Sequence, residues 1–176
     1  MRRIVALAGF VVTYTLAPVF AQAAQAETTV AFQWTVKYTS GAPASKPCDH
    51  VQCGEGTVVG FGDATGTVDL TSISEIPGTS CFLATVDETI TLTSDGSTLR
   101  LEENGTACFP GNSLHAVPFP FPFDAEGTFT VRHGTGIFQG AKGSGIWECT
   151  MAAGDQQHCT FSGALTLLTR PVASSS

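Results

Sequence analysis

The chain has 176 residues and a formal net charge of −7, with 8 Lys and Arg against 15 Asp and Glu. That length is ordinarily one domain, and so acidic a balance excludes nucleic acid and anionic lipid as natural partners. Nineteen glycines and the lack of any sustained helix-periodic stretch exclude a helical protein and point to an all-β class.

Arg2 and Arg3 precede an apolar run from Ile4 to Phe20, which closes on the small residues of Ala21-Gln-Ala-Ala-Gln-Ala26. This is the layout of a secretory signal peptide, with cleavage near Ala23 or Ala26. The run is short for a membrane span and has no charged stop behind it, so residues 1–26 are read as a leader. No later stretch could span a bilayer as a helix. The mature chain is then secreted or periplasmic, and with two cations and no acid removed its charge moves from −7 to −9. Residues 27–170 form the domain, and 171–176 a disordered tail.

The first strand is Thr28 to Tyr38, in which Val30, Phe32, Trp34, Val36 and Tyr38 alternate with Ala31, Gln33, Thr35 and Lys37. That two-residue period gives one strongly apolar face. Ser40 to Glu55, broken by Gly41, Pro43 and Pro47, reads as a loop. Thr57 to Gly62 and Thr65 to Ser74 read as two shorter strands on either side of Asp63-Ala64, and Pro77-Gly78 ends the second.

Cys81 to Cys108 is a hairpin, because Asp95-Gly96 is a strong two-residue turn signal. That turn predicts a register in which Leu92 opposes Leu99, Ile90 opposes Leu101, Val86 opposes Gly105, Ala84 opposes Ala107 and Phe82 opposes Phe109. It also places Glu88 directly opposite Glu103 on the apolar face. Pro110 to Asp124 follows, and the alternating prolines of Pro118-Phe-Pro-Phe-Pro-Phe123 forbid a central strand. Phe119, Phe121 and Phe123 are read as a lid over one mouth of the domain.

In Gly127 to Gly134, Phe129, Val131 and His133 alternate with Thr128, Thr130 and Arg132, the period of a half-buried strand. Gly134, Gly136, Gly140, Gly143 and Gly145 then mark a tight strand-to-strand corner. The last two strands are Gly143 to Met151 and His158 to Leu168. A turn about Gly154 sets Cys149 opposite Cys159 and Trp147 opposite Phe161. Eight strands joined by short connections predict a closed antiparallel up-and-down barrel, whose interior is either filled or holds one small ligand.

Gly127-Thr-Phe-Thr-Val131, then Gly134-Thr-Gly-Ile-Phe-Gln-Gly-Ala-Lys-Gly-Ser-Gly145, then Thr160-Phe-Ser-Gly-Ala-Leu-Thr-Leu167 resemble bacterial secreted proteins with an allene oxide cyclase barrel-like fold, relatives of plant dirigent proteins. Thr65-Gly-Thr-Val-Asp-Leu70 and Ile90-Thr-Leu-Thr-Ser-Asp-Gly-Ser-Thr-Leu99 resemble earlier strands of that group, so the similarity covers about residues 56–168. The resemblance implies the barrel. It allows cyclases, stereochemical guides for phenolic coupling and proteins without known chemistry, since sites do not follow from folds.

Six cysteines in an exported chain predict a disulfide framework. The hairpins favour Cys48 with Cys53, Cys81 with Cys108, and Cys149 with Cys159. In the register above Cys81 lies diagonal to Cys108, so that bridge needs a bulge or strong twist. The zinc alternative, from Cys48, His50, Cys53, His158 and Cys159, matches no standard finger spacing, and no metal or cofactor is expected.

Two carboxyls facing one another in an apolar interior repel, and one of them should hold its proton. Glu88 and Glu103 are therefore candidates for a general acid and base. A bulge between Glu102 and Glu103 would instead turn one or both to solvent. His133, on the face of Phe129 and Val131, is a third candidate for proton transfer, or else an exposed strand end. Trp34, Tyr38, Phe129, Trp147 and Phe161 either line a pocket for a small hydrophobic or phenolic molecule or pack as ordinary core. No serine triad, phosphate loop or dinucleotide fingerprint is present. Three functions fit: a carrier of a small apolar or aromatic molecule, a cyclase or isomerase using the carboxyl pair, and a structural envelope protein without ligand.

Overall fold

A computed structural model describes residues 26–40, 52–109, 123–151 and 156–169. They form eight antiparallel strands: β1 (Ala26–Ser40), β2 (Gln52–Val58), β3 (Gly62–Glu75), β4 (Cys81–Leu92), β5 (Thr98–Cys108), β6 (Phe123–Gly134), β7 (Lys142–Met151) and β8 (Gln156–Thr169). Each strand is hydrogen-bonded to the next, and β8 returns to pair with β1 from Ala26↔Thr169 to Thr39↔Gln156. The result is a closed eight-stranded sheet in sequential order. Closure leaves one face inside, and the alternation in β1 dictates which: Phe32, Trp34, Val36 and Tyr38 are buried while Ala31, Gln33, Thr35 and Lys37 are exposed. Among the described residues no helix is long and apolar enough to cross a membrane.

β2 begins at Gln52, inside the stretch the sequence reads as loop. It is held on both sides, by β1 through Tyr38↔Gly54 and by β3 through Gly54↔Gly66. The turn that follows is Val59–Phe61, not Asp63-Ala64. Gly60 and Gly62 supply the positive φ angles of 82° and 106°, whereas Ala64 is buried between Gly56 and Leu92.

The β4–β5 hairpin is slipped by two residues from the predicted register. Ile90 pairs with Leu99, Glu88 with Leu101, Val86 with Glu103, Ala84 with Gly105 and Phe82 with Ala107. The cause is the loop. Only Gly96 takes a positive φ, 72°, so Asp95-Gly96 does not form the tight turn that needs two such residues. Leu92 N–H donates to Ser97 O, Gly96 N–H donates to Leu92 O, and the Asp95 carboxylate accepts from both the N–H and the Oγ of Ser97. Thr93 to Gly96 thus close a four-residue loop.

A slip of two keeps every side chain on its own face. It also brings Cys81 directly opposite Cys108, and the two form a disulfide with Cα atoms 4.0 Å apart, with no bulge needed. Cys149 and Cys159 pair as the sequence predicts, with Cα atoms 4.1 Å apart, and Trp147 opposes Phe161. Cys53 is also disulfide-bonded, and no described cysteine is free. Its expected partner, Cys48, lies outside the described residues. The two described bridges occupy opposite faces. Cys149 and Cys159 are buried in the interior, while Cys81 and Cys108 alternate with the inward residues of their strands and are half-buried on the outside.

The glycine-rich corner is a short 3-10 turn, Gly136–Phe138, with Gly136 and Gly140 at φ 59° and 75°. Its one large apolar side chain that turns inward, Phe138, is 1% exposed and packs against Phe61 at a centroid distance of 5.1 Å. The corner therefore plugs the end of the sheet as well as reversing the chain. Residues 1–25 of the expected leader, the tail, and the lid residues Phe119 and Phe121 lie outside the described residues, while Ala26 is the first residue of β1 and Phe123 the first of β6.

Candidate functional site

The interior is organised by rows in which an aromatic side chain lies across glycines of neighbouring strands. Phe129 on β6 pairs with Gly145, which pairs with Gly163, which pairs with Phe32. A Cβ on Gly145 would stand 2.6 Å from Phe129 Cε1, and one on Gly163 2.9 Å from Phe129 Cζ, so only glycine admits the ring. Phe32 meets Phe129 edge-on at 5.5 Å, and Phe161 lies 6.0 Å beyond. Trp147 follows the same plan through Gly127 and over Gly105, and its indole N–H donates to Thr128 O at 3.2 Å.

The third row has a polar end. Tyr38 pairs with Gly54, Gly54 with Gly66, and Gly66 neighbours the β4 residue Ile90. The ring crosses both glycines: a Cβ on Gly54 would lie 2.6 Å from Tyr38 Cδ1, and one on Gly66 3.0 Å from the Tyr38 hydroxyl and 3.0 Å from Glu88 Oε1. Two absent side chains let a residue of β1 reach a residue of β4. The Tyr38 hydroxyl donates to Glu88 Oε1, and Trp34, two pleat repeats away on the same face of β1, donates its indole N–H to the same oxygen at 2.9 Å.

Glu88 is 0% exposed and Glu103 5%. Glu103 sits on β5 between Val86 and Phe129, and Glu88 sits on β4 between Val68 and Leu101, so the two acids are diagonal neighbours. They are not opposed as predicted, yet both remain inside because the slip is even. Burial pushes both carboxyls above the ordinary 4.5. For Glu88 the hydrogen bonds from Glu103, Tyr38 and Trp34 work against burial and favour the carboxylate. For Glu103 the charge of Glu88 and the hydrogen bond to it add to burial and hold the proton in place. Tyr38 is pushed well above 10.0 by burial first and the Glu88 charge second, which keeps its hydroxyl a donor. Of the two, Glu103 is pushed the further above the ordinary carboxyl value, within a buried Tyr–Trp–Glu–Glu network.

Glu88 Oε2 and Glu103 Oε1 are buried and accept from no N–H or O–H outside the acid pair, so a proton shared between the two acids is the donor available to them.

His133 does not belong to this site. At the β5–β6 pairing Arg100 opposes His133 and Leu101 opposes Val131, so Arg132 is the extra residue of a bulge. The slip of one turns His133 to the exposed outer face. Arg132 itself is exposed and forms a two-armed ion pair with Glu102. The alternative of a bulge between Glu102 and Glu103 is not met: the extra residue lies on β6, and Glu103 stays inside. Trp34, Tyr38, Phe129, Trp147 and Phe161 are all at most 8% exposed. Reasoning from sequence missed that Trp34 and Tyr38 are donors to Glu88, and missed Phe138. Gly54 and Gly66, small residues one strand apart on the path from Tyr38 to Glu88, were the available signal.

Among the described residues no group of three or more His, Cys, Asp or Glu could hold a metal ion. Compared with protein-family models, with curated proteins and with solved structures, the chain matches none. Its likeness to the allene oxide cyclase-like group therefore rests on the strand motifs alone.

Proposed function

We propose that the protein is exported and folds as a small barrel of the allene oxide cyclase-like, dirigent-like kind, and that its interior takes up a small molecule that is mainly apolar or aromatic. The observation that carries this reading is the pair of buried acids, Glu88 and Glu103, inside a closed sheet whose interior is otherwise lined mainly by aromatic and aliphatic side chains. A core selected for stability alone replaces such acids by apolar residues of similar volume, which is neutral or favourable. Retaining them is the mark of a site. Native mass spectrometry after incubation with a library of lipids and phenolics tests it. A one-to-one adduct supports the reading, and an unchanged mass across the library removes it.

A second reading, a cyclase or isomerase, is favoured by one specific observation: the two buried acids have different surroundings, Glu88 Oε1 accepting from Trp34 and Tyr38 while Glu103 is pushed the further above the ordinary carboxyl value. In that role Glu103 would donate a proton to a bound substrate and Glu88 would accept one, while the aromatic walls fix a near-attack geometry. Glu88→Gln and Glu103→Gln then abolish turnover and leave the affinity for a neutral substrate analogue unchanged. A carrier shows no turnover to lose.

A further inference from the structure

Glu88 and Glu103 stand on the two strands of one hairpin, buried and joined by a hydrogen bond between their carboxyl groups. Such a bond exists only while one of the two carries a proton, because an ionised carboxylate can accept but not donate. Nothing inside replaces that proton once it leaves. Among the described residues the inward titratable side chains are these two acids and Tyr38, whose hydroxyl already donates to Glu88. The charged groups on the surrounding strands lie on the outer faces: Lys37 on β1, Glu55 on β2, Asp69 on β3, Asp87 on β4, Arg100 and Glu102 on β5, and Arg132 and His133 on β6. Arg100 and Arg132 are engaged there by Asp87 and Glu102. Two carboxylates in this interior would have no cation beside them, and burying an unpaired charge is costly.

The hairpin that carries the pair is built to move as one piece. Its own ladder runs without a break from Cys81↔Cys108 to Thr91↔Thr98, the Cys81–Cys108 disulfide ties its open end, and the bonds from Ser97 to Asp95 close its loop. Both of its borders are irregular. Thr71 is an extra residue of β3 between the pairs Leu70↔Val86 and Ser72↔Thr85, as Arg132 is an extra residue of β6 beside Leu101. Val86 and Leu101, at the two interruptions, each lie two residues from one of the acids. Packing is thin past the first bulge: Leu70 and Ile73, paired with the inward positions Val86 and Ala84, are 44% and 50% exposed. Across the sheet, β7 and β8 are tied by the interior bridge Cys149–Cys159 and bury Trp147, Phe161 and Leu165. Segments with few buried apolar contacts open at the lowest free energy.

We propose that the acid pair is a proton-operated latch on this hairpin: with the shared proton in place β4 and β5 stay closed against β3 and β6, and its loss lets the hairpin part from both neighbours as a unit. Acid closes the sheet and alkali opens it. The sign follows from linkage, since the closed form binds a proton that the open, hydrated form gives up. Burial raises the proton affinity of both carboxyls, in the same direction. The latch needs no ligand, so it stands or falls apart from the binding reading.

The test is hydrogen exchange of the full chain followed by NMR from pH 5 to pH 9, with each rate divided by its unstructured value at the same pH. Amides that bond β4 to β3 and β5 to β6 should lose protection by about tenfold per pH unit once the shared proton leaves, the linkage for one proton. Amides bonded within the β4–β5 and β7–β8 ladders should keep theirs. Glu103→Gln, which leaves Glu88 a donor that does not titrate, should remove the slope, and Glu148→Gln on the exposed face of β7 should retain it. Equal loss in every ladder means global unfolding and overturns the hairpin as the moving unit. Protection independent of pH at the two borders, a slope undiminished in Glu103→Gln, or one lost in Glu148→Gln overturns the latch. Should Glu103→Gln fail to fold, the comparison of border with inner ladders in the unaltered protein decides the matter.

Discussion

The row led by Phe129 and the row led by Tyr38 are built alike and end differently. Each aromatic ring crosses two glycines on adjacent strands, and in each the glycines exist because a Cβ would strike the ring. The Phe129 row ends on another ring, Phe32. The Tyr38 row ends on a buried carboxyl group, that of Glu88. One packing device thus ends on apolar contact in the first row and supports a polar network in the second, and the difference is a single phenolic oxygen. The first kind of row should govern stability, and the second should govern how stability responds to pH.

The largest effect should come from Phe129→Ala, which empties a site shared with Phe32 and Phe161 and should cost about 3–5 kcal/mol in urea unfolding with the disulfides intact. Tyr38→Phe keeps the ring over Gly54 and Gly66 and removes only the donor to Glu88. It should cost less, about 1–3 kcal/mol. If the two substitutions cost the same, the rows do not differ in the way described.

The pH response sharpens the contrast further. Both interior carboxyls have folded-state pKa values above the ordinary 4.5, so the folded protein binds more protons than the unfolded chain once pH passes that value. Stability should therefore be greatest below pH 4.5 as far as this pair is concerned, and should fall as pH rises through the raised folded values. Glu103→Gln should flatten that fall. Urea midpoints measured across pH 4 to 9 would check both statements. The smallest effect belongs to the outer face. Arg100→Ala breaks an exposed pair with Asp87 and should change stability by less than about 1 kcal/mol.

The strand order and the inward face of nearly every strand are legible in the sequence, because a two-residue period survives any error of even size. The hairpin of β4 and β5 illustrates this. Asp95 spends its side chain on Ser97 in place of adopting a left-handed backbone, the loop lengthens, and every predicted pair moves by two, yet Glu88 and Glu103 remain inside. His133 illustrates the reverse. One extra residue, Arg132, is an odd change, and it sends the histidine out. Nothing local announces that bulge, which is a matter of how β6 meets β5. The donors to Glu88 were hidden for a related reason. Alternation says that Trp34 and Tyr38 point inward, but only the closure of β1 onto β8 and the bare glycines of β2 and β3 determine what they reach.

The placement of the two described bridges on opposite faces sets a sequence of events under reducing conditions. A thiol reagent can approach Cys81–Cys108 from solvent while the sheet stays shut, but it meets Cys149–Cys159 only after the strands part. The first bond to be cleaved should loosen one hairpin, and the second should act as a lock that opens late, so its rate of reduction would serve as a clock for breathing of the closed sheet and for the passage of any guest.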